Sequence, residues 1–175
     1  MKTITNVLVA VVLSLSLPAM AQTDKNTTAK IVENQDFIFV ASTAQPLNSQ
    51  DISAVLRGMN APNSSGTINL TGSQYELVIK KDSVVVNLPY YGRSYSPSPD
   101  PADSGIKFKS KDFKYKQSKN KKGGWRIEIE PKDVKDNQRL SLSITENGYA
   151  SLYVLNNNRQ PITFNGYLST PRVKK

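Results

Sequence analysis

The sequence predicts an all-β domain, an antiparallel meander of about nine strands that forms a small barrel or a two-sheet sandwich, with one short N-terminal helix. Three observations point there. From Gln35 onward, short apolar/polar alternations are broken every few residues by Gly, Asn, Pro or Lys, the pattern of half-buried strands. The links between them leave no room for the crossover helices that parallel strands need. Finally, when neighbouring segments are folded on their turns, the apolar positions fall on one shared face, as a meander requires.

The elements follow in order. Met1–Ala21 has the layout of a secretory signal peptide: Lys2, an apolar run from Val7 to Leu17, and the small-x-small triplet Ala19-Met20-Ala21. The run is too short to span a bilayer. Cleavage between Ala21 and Gln22 predicts a periplasmic or secreted protein that is not transmembrane. Residues 22–34 read as a polar leader, 35–170 as a single β domain and 171–175 as a basic tail. Ile52, Val55, Leu56 and Met59 recur at i, i+3, i+4 and i+7 after a capping Ser49, which places the short helix there. Strands are expected at 36–43, 75–80, 83–88, 106–109, 112–117, 125–130, 138–145, 149–155 and 161–168, with a short one at 67–70.

Registers can be read from parity. A two-residue turn at Lys81-Asp82 sets Leu77 against Val86 and Ile79 against Val84, an apolar face. At Glu146-Asn147-Gly148, a two-residue turn would strand Leu152 and Val154 on the wrong face. A three-residue loop with Gly148 in the left-handed conformation pairs Leu140, Leu142 and Ile144 with Val154, Leu152 and Ala150. Placing Gln117 opposite Trp125 sets Phe113 by Ile129 and Lys114 by Glu128, so consecutive pairing is expected along about a hundred residues.

Composition removes several chemistries. The 175-residue chain has no Cys and no His, which excludes thiol chemistry, disulfides and the commonest metal ligand and neutral-pH base. Its formal charge of +9 favours anionic partners. In an exported protein nucleic acid is not among them; an anionic envelope surface or another envelope protein is. Carboxylate pairs such as Asp100 with Asp103 and Glu128 with Glu130 lie in exposed stretches without a cleft. The expectation is a monomeric, non-catalytic domain with no cofactor, metal or catalytic residues. A carrier with a lipid or glycan inside the barrel, and a carboxylate-based hydrolase, are the two alternatives.

Two surfaces are candidates for binding. Lys107–Arg126 holds nine cationic side chains against the single Asp112, and Phe108, Phe113 and Tyr115 alternate with the lysines. Lys107, Lys109, Lys114 and Lys116 therefore form an outward cationic face, suited to an anionic surface or, more simply, to keeping strand edges soluble. The long loop Pro89–Gly105 carries Tyr90, Tyr91, Arg93 and Tyr95, flat rings beside a guanidinium fork. It reads either as a recognition surface or as a plug at one end of the barrel.

The runs LPYYGRSYSP, GIKFKSKDFKY, KKGGWRIEIEP and NGYASLYVLNNNRQPITFNGYL resemble an uncharacterised family of exported proteins from gut-dwelling Gram-negative bacteria, a domain of unknown function. The resemblance spans Phe37 to Leu168. It implies a signal peptide followed by one β-rich envelope domain, and no activity or site residues.

Overall fold

The computed structural model describes residues 23–47, 66–95 and 105–171. The signal peptide and the helix expected around Ile52–Met59 lie outside the described residues. The described helix, α1 (Lys25–Glu33), forms in the stretch read as a polar leader. Asp24 caps it, its carboxylate accepting the Asn26 and Thr27 amides at 2.9 and 3.0 Å and the Thr27 hydroxyl at 2.7 Å. These bonds, above all those from Thr27, hold the Asp24 carboxyl below its usual range. Only Thr28, Ile31 and Val32 are buried, at i, i+3 and i+4. So narrow an apolar stripe gives the sequence little helical signal.

The strands are β1 (Phe37–Pro46), β2 (Ile68–Asn69), β3 (Glu76–Lys80), β4 (Ser83–Leu88), β5 (Ile106–Ser110), β6 (Phe113–Lys119), β7 (Trp125–Pro131), β8 (Gln138–Ile144), β9 (Tyr149–Asn156) and β10 (Arg159–Ser169). They form one antiparallel sheet in the order β5-β4-β3-β1-β10-β9-β8-β7-β6, with β2 pairing only β1. The sheet curls into a nearly closed barrel.

Both tight registers match the parity argument. Leu77 faces Val86 and Ile79 faces Val84. Leu140, Leu142 and Ile144 face Val154, Leu152 and Ala150, and Gly148 has φ 79°. The β6–β7 register does not match: Phe113 faces Pro131, Lys114 faces Glu130 and Lys119 faces Trp125, two residues on from the expected pairing. A slip of two leaves every side chain on its own face, so parity is blind to it. What sets the register is Asn120, whose Oδ1 accepts the Lys122 and Gly124 amides at 3.0 and 2.9 Å and shortens the turn.

Consecutive pairing also fails twice, each time for a topological reason. The N-terminal strand β1 inserts between β3 and the C-terminal β10, joining the two halves of the sheet. At the other end, β5 and β6 are joined by Lys111-Asp112 alone yet do not pair. Nine strands alternating in direction leave the first and ninth running the same way. Parallel pairing would need a crossover of about a dozen residues, and two cannot supply it. β5 and β6 are thus successive halves of one wall, the first paired to β4 and the second to β7.

Inside, Phe37, Phe39, Phe164, Leu77, Ile127 and Leu142 are fully buried. Each such side chain contributes about 1.5–3 kcal/mol of hydrophobic stabilisation. β1 kinks between Ala41 and Thr43 to follow the curvature, and the Ser42 carbonyl accepts the Leu70 amide at 2.9 Å.

Candidate functional site

The cationic face is continuous because of the turn at Lys111-Asp112. Within β5, Lys107 and Lys109 point outward and Phe108 inward; within β6, Lys114 and Lys116 point outward and Phe113 and Tyr115 inward. Strict alternation from 107 would have turned Phe113 and Tyr115 to solvent. The extra residue at the turn restores the parity, so all four lysines form one exposed ridge along the wall.

The turn is held by Asp133, from the loop after β7. Its carboxylate accepts the Ser110 hydroxyl, the Lys111 amide at 2.8 Å and the Asp112 amide at 3.2 Å, and the Lys132 amide donates to the Asp112 carbonyl at 2.8 Å. The Ser110 bond first, then the two amides, pull the Asp133 carboxyl down to about 2.

The β6 half of the ridge faces carboxylates. Lys114 lies 3.8 Å from Glu130, which also binds Arg139 at 2.8 Å, and Lys116 faces Glu128. Lys107 and Lys109 face Asn87 and Val85 on β4. Beneath the ridge, Phe108, Phe113 and Tyr115 are only partly buried, since the wall beside them is unpaired. Burial still raises the Tyr115 phenol well above its usual range.

The four loop residues part company. Tyr90 is a fastener: its hydroxyl donates to the Arg93 carbonyl at 2.8 Å, lies 3.1 Å from the Gln160 carbonyl, and its ring sits 5.1 Å from the Arg159 guanidinium. Tyr91 is half-buried against the core, and burial, with Tyr75 beside it, raises its phenol. Arg93 and Tyr95 are exposed, but their backbones are strapped to the β9–β10 turn. The Gln160 amide donates to the Arg93 carbonyl at 3.1 Å and the Tyr95 amide to the Asn158 carbonyl at 2.8 Å. This first part of the loop is a strap across the barrel end, with Tyr95 as its exposed ring.

Sequence reasoning missed Arg159, which organises that end. Besides facing Tyr90, its Nη1 donates to the Gly105 carbonyl at 2.8 Å, tying the far end of the same loop. The available signal was an arginine directly after the Asn156-Asn157-Asn158 turn, where a side chain points back over the preceding loop.

Comparison with curated proteins returns no match. Among solved structures, the chain resembles a DUF4251 family protein from Bacteroides eggerthii, with 15% identity, a TM-score of 0.56, and coverage of 83% of this chain and 87% of that one. At that identity the likeness is one of fold: the barrel is shared. The family model described as a domain of unknown function, DUF4251, matches residues 19–168, nearly the whole β domain, and the chain belongs to that family.

Proposed function

We propose that this protein is an exported, non-catalytic, monomeric binding domain of the periplasm, whose lysine ridge holds an anionic component of the cell envelope. The observation that carries the reading is the parity break at Lys111-Asp112, which keeps Lys107, Lys109, Lys114 and Lys116 outward on both halves of the wall. A soluble strand edge needs one or two lysines; here the alternation is repaired so that the row continues. Glu130 is bound by Arg139 and Glu128 faces Lys116 across β6–β7, which counts against their serving as a hydrolytic pair. An interior full of Phe37, Phe39, Phe164 and Leu142 counts against a lipid or glycan held inside.

The test is a titration. Changing the four lysines together to Gln weakens binding to lipopolysaccharide and to anionic vesicles, with little loss of stability because exposed charges contribute little to folding. Binding falls steeply with added salt. Unchanged binding in the fourfold variant would sink the ridge. If Tyr95→Ala and Arg93→Ala abolish an interaction that salt leaves intact, the strap is the site instead. Export is checked separately: the mature chain begins at Gln22 in the soluble periplasmic fraction, and an intact Met1 in the membrane pellet would refute it.

A further inference from the structure

β6 ends the sheet: among the described residues it pairs with β7 and with no other strand. The bonds at its two ends show which backbone groups that pairing uses. The Lys132 amide donates to the Asp112 carbonyl and the Asn120 amide to the Gly124 carbonyl, each at 2.8 Å. Antiparallel partners exchange hydrogen bonds at every second residue. Lys114, Lys116 and Ser118, in step with Asp112 and Asn120, therefore bond to Glu130, Glu128 and Arg126. The N–H and C=O groups of Phe113, Tyr115 and Gln117 point the other way, along the open edge.

The side chains of the same three residues show what is missing beside that edge. They turn inward, opposite Pro131, Ile129 and Ile127. Those three partners are buried, whereas Phe113 and Tyr115 are half-buried and Gln117 is exposed. An inward row covered on one flank and bare on the other is the last row of an unfinished wall. On the outward face of the same edge stand Lys114 and Lys116, both exposed. Lys114 stays 62% exposed with Glu130 3.8 Å away, and Arg139 at 2.8 Å holds that carboxylate more closely. Each lysine thus has β7 on one flank and open space on the other.

We propose that the free edge of β6 receives an extended acidic segment of a partner protein, added to the sheet as one more strand. Main-chain bonds to Phe113, Tyr115 and Gln117 supply the attachment, and alternate side chains supply the choice of partner. The segment's inward positions lie against Phe113 and Tyr115 and are apolar; its outward positions lie against Lys114 and Lys116 and are Asp or Glu. A second copy of this chain fits less well. Two β6 edges brought together set lysine rows side by side, and like charges directly opposite repel. A lipid headgroup meets the lysines but leaves the row of edge amides unbonded.

The inference rests on the ridge reading, because Lys114 and Lys116 serve both, and it makes the anionic component a protein strand. The experiment follows backbone amide exchange by NMR in the folded 15N-labelled protein. The probes are a blocked peptide of the length of β6 that alternates Glu and Val, the same peptide N-methylated at Val or at Glu, and a form with Lys in place of Glu. In the free protein the Tyr115 and Gln117 amides exchange fast and the Lys114 and Lys116 amides slowly. The Glu-Val peptide slows Tyr115 and Gln117. One N-methylated form loses binding and the other keeps it, because an added strand turns only alternate amides toward β6. The Lys-Val form binds about tenfold more weakly or worse, and Gln117→Pro, which removes an edge amide that β7 does not use, costs about tenfold. Slow exchange kept at Lys116 shows that β6 still pairs with β7 in that variant. Protection of Tyr115 and Gln117 that grows with protein concentration alone would give the edge to a second copy and overturn the proposal. So would peptide binding that both N-methylated forms reproduce. If the peptide fails while lipopolysaccharide binds, the edge is overturned and the ridge stands; if neither binds, both readings fall.

Discussion

Ser110, the last residue of β5 and wholly buried, gives its hydroxyl to the carboxylate of exposed Asp133, twenty-three residues further on. That bond stands where the barrel wall passes from one sheet edge to the other. With the Lys111 and Asp112 amides on the same carboxylate, it does locally what strand pairing cannot do between β5 and β6.

The Asp133 carboxyl sits at about 2 in the folded chain, against an ordinary value of 3.8. Its folded pKa is depressed, so its contribution is complete above about pH 4 and is lost as pH falls through about 2. Denaturant midpoints taken from pH 7 down to pH 2 therefore drop through this window. Asp133→Asn is less stable at neutral pH and shows a shallower acid slope; parallel curves would mean that the carboxylate charge does nothing at the turn.

Gly148→Ala destabilises the domain by about 1–2 kcal/mol from the left-handed backbone alone, and the site adds to it. The residue has φ 79°, and a Cβ there would run into the Thr23 hydroxyl, next to Thr28 of α1. Thermal unfolding checks this. A neutral substitution would show that the three-residue loop can take another form.

Arg159→Met removes both the contact with the Tyr90 ring and the hydrogen bond to the Gly105 carbonyl while keeping most of the side-chain volume. The expected loss is about 1–2 kcal/mol. It is accompanied by faster hydrogen exchange at the Tyr95 amide, which bonds across to Asn158. Slow exchange retained at Tyr95 would show that the strap is held by its backbone bonds alone.

The Tyr115 phenol ionises above its usual range. Burial holds its phenol up, and its hydroxyl donates to the Gln117 side chain at 2.9 Å. A spectroscopic alkaline titration of Tyr115→Phe loses a late-titrating component present in the parent. Loss of an early component from Tyr115→Phe would place that ring in solvent.

Much of the barrel was legible because inward and outward residues alternate and two turns admit only one parity. Leu152 and Val154 could face the core only through the three-residue loop at Gly148, and they do. The β6–β7 slip was not legible, since moving by two residues preserves every face; the deciding bonds come from the Asn120 side chain, which carries no periodic signal. The insertion of β1 beside β10 depends on contacts between opposite ends of the chain, to which local patterning is silent. Of the candidate sites, the lysine ridge was readable from alternation, although its continuity needed the Lys111-Asp112 parity shift.

The position of β1 also sets an order of events. It is a central strand, bonded to β3 on one side and to β10 on the other, and Ile38 meets Ser169 at the far end of the chain. Hairpins such as β3–β4 and β8–β9 close between near neighbours and form early, but β1 waits for the strand made last. Until then its partner edges stay open and the barrel has no continuous wall. A sheet whose continuity rests on pairing strands so far apart in sequence becomes one wall only when that long loop closes, which makes it slow to complete and cooperative once complete.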